Sequence, residues 1–178
     1  MLATLASPTV APSTVAQMGK IADRLAELGH VLPPPLTPPP GVVLPFEMVR
    51  IVGDRALVSG HGPQLPDGSV GGPLGRVGED LTVDEAYESA KLVGLSILGD
   101  LERALGDLDR VTAWCRVFGM VWCTADFHQQ PAVINGFSDL ILAVFGPDVG
   151  AHTRSAVGMA SLPFRIPVEI EAEVQIRA

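Results

Sequence analysis

Arg154 lies at the start of the apolar run Thr153-Arg154-Ser155-Ala156-Val157-Gly158, and it is the only Lys or Arg between Arg116 and Arg165. A guanidinium entering a strand needs a planar acceptor to offset its desolvation. Arg154 is therefore either one half of a salt bridge to a strand-edge carboxylate or an anchor for a small carboxylate ligand. Glu169 poses a similar choice. It belongs either to a solvated acidic stripe with Glu171 and Glu173 or to a site in which it works as a general base beside Arg154. If the last two strands form a hairpin, its register decides whether both side chains face one pocket. The register is open, and a pocket combining strands from two chains is the other possibility.

Other residues carry weaker signals. Asn135-Gly136 interrupts the apolar run of a helix, where both residue types are unfavourable, so a local function or tight packing must keep them there. Ser59-Gly60-His61-Gly62 at a strand end is a plain turn or a place where free backbone N-H groups meet a ligand. His61, alone among glycines, reads as a satisfied or solvated histidine rather than a catalytic one. No metal site is expected: CxxC and HxxxH are absent, and His30, His61, His128 and His152 are scattered. Cys115 and Cys123, if on one strand, stand ~26 Å apart, too far for a disulfide.

Composition narrows the function classes. The 178 residues carry 12 Lys+Arg against 20 Asp+Glu, a net charge of -8, with only 5% aromatic residues. Without a basic cluster or stacking rings, nucleic acid is not an expected partner. No run of 18 apolar residues suggests a membrane span, and the N-terminus has no basic segment of the secretory kind, so the expected location is the cytoplasm. Nine of the 16 prolines precede residue 46, which sets off residues 1-41 as an N-terminal arm from a domain over 42-178.

The positioning elements follow from periodicity. A short helix is expected over 17-29, with Thr14 and Gln17 as a capping box, followed by a proline-rich stretch that reads as a stiff spacer. Phe46-Gly53 and Arg55-Gly62 form a hairpin about Gly53-Asp54. Thr82 and Glu85 cap a long helix closed by Gly106. Val111-Cys123 is apolar on both parities and reads as a strand buried on both faces, one of them covered by helices and the other by another subunit. A second long helix runs from Pro131 to Phe145, and Gly146-Pro147 ends it. Strands over 153-161 and 166-176 complete the chain. The order predicts an α+β sandwich, mostly antiparallel, with both long helices on one face.

The segments LVSGHGP, VING and TRSAVGMASLPFRIPVEIEAEV resemble the Rid family, also called YjgF-like proteins and historically endoribonuclease L-PSP. The resemblance covers about residues 42-176. It implies a chorismate-mutase-like fold, a homotrimer whose sheets close into a central barrel, and ligand sites between subunits. It further implies that Arg154 grips a substrate carboxylate and that Glu169 orients or activates water. In the deaminating members water attacks a 2-imino acid, releasing ammonia and a 2-keto acid without a metal or cofactor. Phe46, Gly60 and Asn135 match positions lining that pocket. The sequence departs from the pattern of those members at Ala156, where a cysteine is usual, at Phe46, where a tyrosine is, and at His152, where proline or alanine is. A non-catalytic, carboxylate-binding trimer is the second reading. An endoribonuclease, suggested by the older name alone, is disfavoured by the acidity.

Overall fold

The computed structural model describes residues 19-38 and 40-177. Its elements run α1 (Lys20-Glu27), β1 (Val49-Val52), β2 (Arg55-His61), α2 (Val83-Leu105), β3 (Val111-Trp122), α3 (Gln130-Val149), β4 (Thr153-Met159) and β5 (Val168-Ile176). The strands form one mixed sheet in the order β1-β2-β5-β3-β4. Three pairings are antiparallel; β3 and β4, linked through α3, run parallel. This is the expected α+β arrangement, with one difference that matters for the site. β4 and β5 are consecutive in sequence but do not form a hairpin, because β3 lies between them.

One face of the sheet is the core. Ala56 and Val58 of β2, Trp114, Val117 and Val121 of β3, and Ile170, Ala172 and Val174 of β5 are buried together with the apolar stripes of α2 and α3. The alternation expected in β5 is observed, with Glu169, Glu171 and Glu173 on the opposite face. Phe118, Met120 and Trp122 of β3 also point to that face and are only half-buried. The reading of β3 as buried on both sides is corrected for the single chain: among the described residues Phe118, Met120 and Trp122 remain partly exposed on the second face.

Local signals account for the helix ends. Thr82 accepts from the Glu85 backbone while the Glu85 side chain accepts from the Thr82 backbone, and Gly106 closes α2 at φ 76°. α3 carries Pro131 in its first turn and breaks at Gly146, also at φ 76°, before a last turn. α3 is long and apolar enough by composition to cross a membrane, but here its inner face packs on the sheet and α2. α1 starts at Lys20 because the Asp109 carboxylate accepts from the Lys20 and Ile21 backbone N-H groups at 2.8 and 2.9 Å. The expected cap at Thr14 and Gln17 lies outside the described residues.

The proline-rich stretch is more than a spacer. Arg103 donates to the Pro33 carbonyl at 3.0 Å, Pro33 is buried, and Pro34 packs on Gly68. The arm is thereby docked along α2 and against the 62-72 loop.

Candidate functional site

The five residues singled out from sequence fall into two groups, on opposite faces of the sheet. Arg154 is in register with Val117, whose side chain points into the helix-covered core. Glu169 is in register with Met120, one of the residues on the open face. Partners across a ladder share a face and positions of opposite parity do not. Within one chain, then, Arg154 and Glu169 do not face a common pocket. The hairpin premise fails because β3 separates their strands.

Arg154 is held by α3. Its Nη1 donates to Ser138 Oγ at 2.9 Å, and its Nη2 donates to the Pro131 carbonyl at 3.1 Å and to Asn135 Oδ1 at 2.6 Å. All three acceptors are neutral, and no carboxylate among the described residues forms an ion pair with it. The salt-bridge reading is thereby overturned. Three of the five guanidinium N-H groups are engaged in these contacts, leaving two for another acceptor. Partial burial lowers the Arg154 pKa and Asp139 acts in the opposite sense, yet the guanidinium stays charged. Ser138 was not foreseen. It also contacts His152 Nε2 at 2.9 Å, while His152 Nδ1 contacts the Gly150 carbonyl, so His152 braces the residue that braces the arginine.

Phe46, Gly60 and Glu169 line a cavity of about 290 Å³. It lies where β2 ends and β5 begins. The β2-β5 register slips between Val58 and His61, which takes Ser59 and Gly60 out of regular pairing with β5. Glu169 fills the space this opens: a Cβ at position 60 would land on its carboxylate. Only glycine at 60 lets that side chain lie across the strand. Glu169 makes no hydrogen bond or ion pair among the described residues. Burial, chiefly, and the neighbouring Glu171 push its carboxyl up from the ordinary range, and His61 partly offsets this.

A raised carboxyl pKa has a stability consequence. The folded state holds the proton more tightly than the unfolded chain, so stability falls as pH rises from the unfolded to the folded pKa. We expect Glu169→Gln to melt higher than the native protein at pH 7, with the gain vanishing as pH falls below the carboxyl range. Thermal melts across pH check this; equal melting at pH 7 would contradict the burial of the charge.

His61 is a satisfied histidine, 2% exposed, and its ring is not free to meet a ligand. Nδ1 contacts the Ser59 carbonyl at 2.7 Å and Nε2 contacts Asp100 Oδ2 at 2.9 Å. Arg103 donates to the other Asp100 oxygen at 2.7 Å. Burial acts to raise the Asp100 carboxyl, but the hydrogen bonds from His61 and Arg103 outweigh it and hold it below the usual range. Asp100 sits 39 residues from His61, and no local sequence signal joins them. Asp100→Asn is expected to cost about 1-2 kcal/mol in chemical denaturation at pH 7, since it weakens charged hydrogen bonds that are largely buried.

Among the described residues no cluster of three or more His, Cys, Asp or Glu could hold a metal.

Comparison with known proteins agrees with this framework. A family model described as "YjgF/chorismate mutase-like, putative endoribonuclease" matches residues 37-168. Protein TCP17 of Trypanosoma cruzi is 40% identical over 164 residues, covering 92% of this chain and 98% of that one. The crystal structure of an Agrobacterium tumefaciens protein of unknown function has a TM-score of 0.78 at 38% identity, covering 89% of this chain and 92% of the other. A structure from Shewanella oneidensis, described as a "putative endoribonuclease", has a TM-score of 0.78 at 28% identity, covering 88% of this chain and 99% of its own. The match over most of the chain, on a sheet of this topology, shows that the protein belongs to the Rid/YjgF-like family.

Proposed function

We propose that the protein is an imine/enamine deaminase that hydrolyses 2-imino acids to 2-keto acids and ammonia at sites between the subunits of a homotrimer. The observation that carries this reading is the division of the site. Among the described residues Arg154 has donors to spare and no carboxylate partner, while Glu169 is a desolvated carboxylate with no cation or hydrogen-bond donor upon it. Each half lacks what the other has. A neighbouring copy that brings its Arg154 to the cavity of Glu169 completes both, and the half-buried Phe118, Met120 and Trp122 of β3 offer apolar surface for such an assembly. Against that face another subunit would supply the missing cover.

The chemistry asks little of the protein. The guanidinium holds the substrate carboxylate and fixes the imine carbon. Glu169 accepts a proton from a water as its oxygen bonds to the carbon of the protonated imine, then returns that proton to the amine nitrogen. The C-N bond breaks as C=O forms, the hydroxyl proton passing to Glu169 and the nitrogen leaving as ammonia. Its raised pKa brings this base closer to neutrality than an ordinary carboxylate. All reacting groups are protein side chains, water and substrate.

The test is ammonia release from 2-iminopropionate generated in situ, with and without the protein. Acceleration that Arg154→Ala removes supports the reading. Binding of 2-keto acids with thermal stabilisation but no turnover would instead favour a carboxylate-binding trimer. The replacement of the family's tyrosine and cysteine by Phe46 and Ala156 gives that outcome its basis.

A further inference from the structure

The cavity at Glu169 is lined almost entirely by apolar side chains, and part of its wall comes from the N-terminal arm. Leu36 follows the docked prolines, Leu44 precedes the first strand, and both face the same space as Phe46 and Ile166. Across the opening stands Phe164, 46% exposed, as Phe46 is at 52%. Phe164 and Arg165 have φ of 54° and 62°, and they are the only non-glycine residues with positive φ among those described. Such a backbone costs free energy and persists only where its surroundings hold it. Here they do: the Arg165 carbonyl accepts from Gly75 at 2.9 Å, and its guanidinium lies 5.5 Å over Trp122 and 3.7 Å from Asp80. The turn presents an aromatic ring at the cavity mouth.

The polar groups around the space are few. His61 is engaged with Asp100, and the Gln64 amide donates to the Gly68 carbonyl. Among the described residues Glu169 is the one carboxylate that lines the space. A cavity of about 290 Å³ has room for on the order of ten non-hydrogen atoms at about 30 Å³ each. The imino-carboxylate core of the smallest 2-imino acid fills roughly half of that.

We infer that the site takes 2-imino acids with a bulky apolar side chain, branched aliphatic or aromatic, and that Leu36 of the arm and Leu44 just beyond it, with Phe164, are the residues that select it. The inference rests on the reading of the cavity as part of a deaminase site. Its occupant is set by the chemistry of the wall: an apolar recess beside the reacting carbon favours an apolar side chain that fills it.

The probes are pyruvate, 4-methyl-2-oxopentanoate and phenylpyruvate, titrated by calorimetry into the full-length protein. The expected result is tighter binding of both bulky acids than of pyruvate, by about tenfold or more, with the advantage lost in Leu36→Asp/Leu44→Asp. The single variant Phe164→Ser, at an exposed position, checks the same wall without touching the arm and should reduce the preference. Equal affinity for the three acids overturns the inference, as does binding of none, and an unchanged preference in the arm variant overturns the role of the arm. Ammonia release is measured in parallel on the matching imino acids. A bulky-acid preference without turnover sinks the deaminase reading and leaves the selectivity intact; turnover without preference does the reverse.

Discussion

Arg154→Ala and Glu169→Gln, each inactive alone, regain about a quarter of the native rate of imine hydrolysis when co-produced in equal amounts and purified as mixed assemblies. The figure follows from the geometry proposed for the site. Arg154 and Glu169 lie on opposite faces of one sheet, so a working site draws its arginine from one chain and its glutamate from a neighbour. In random mixing, about half of the arginine positions and about half of the glutamate positions are intact, and the two are independent. Each variant alone should lose about a hundredfold or more in kcat/KM, close to 3 kcal/mol, because each removes a group that acts on the charge distribution of the reaction. Native mass spectrometry verifies that the chains have mixed. Mixed assemblies that stay as inactive as either parent would refute a site shared between chains. A rate above about half of native would also refute it, since no random assembly provides so many complete sites.

The sequence was most legible where a signal is local. The capping box at Thr82 and Glu85, the glycine ends of α2 and α3, and the alternation of β5 each depend on residues a few positions apart, and each is observed. Arg154 stood out for a similar reason, as an isolated cation beginning an apolar strand, and its environment of neutral acceptors supports that emphasis. Strand order was not legible in that way. Consecutive strands usually pair, but β2 and β3 do not and neither do β4 and β5, because α3 returns the chain parallel to β3 on one side and β5 enters on the other, between β2 and β3. That one topological fact moves Glu169 to the face opposite Arg154. The docking of the arm was illegible for a different reason: prolines report an extended backbone but not what it lies against, and Pro33 is held by an arginine 70 residues away. Phe164 gave no sign at all, since its left-handed backbone belongs to a turn fixed through the next residue, Arg165, by Asp80, Gly75 and Trp122.

Asn135-Gly136 left two explanations joined, function or packing, and the structure gives the two residues different surroundings. Asn135 accepts from Arg154, whereas a Cβ at Gly136 would fall on the Tyr87 carbonyl of α2. Two substitutions on the same helix therefore separate the roles. In an unencumbered helix, Gly136→Ala would stabilise by about 1 kcal/mol through propensity alone. Here the group in the way is backbone, which cannot swing aside, so the helices must part. They are already interlocked one turn along, where a Cβ at Gly94 would meet Leu140 at 2.7 Å and Phe137 at 3.3 Å. Separation also costs the packing of Phe137, which is fully buried against Trp114. Overpacking of this kind costs about 1-3 kcal/mol and occasionally more, and with no side chain able to yield we expect a net loss near the upper end, about 3 kcal/mol, lowering Tm by roughly 10 °C. Asn135→Ala, at an exposed position on the same helix, should change stability by less than about 1 kcal/mol. It should instead weaken 2-keto acid binding, because Nη2 of Arg154 loses its shortest contact. Thermal melts and calorimetry on the two variants decide the matter: a Gly136→Ala protein as stable as the native one would mean that the helices can yield at that crossing, and unaltered ligand binding by Asn135→Ala would remove the asparagine from the site.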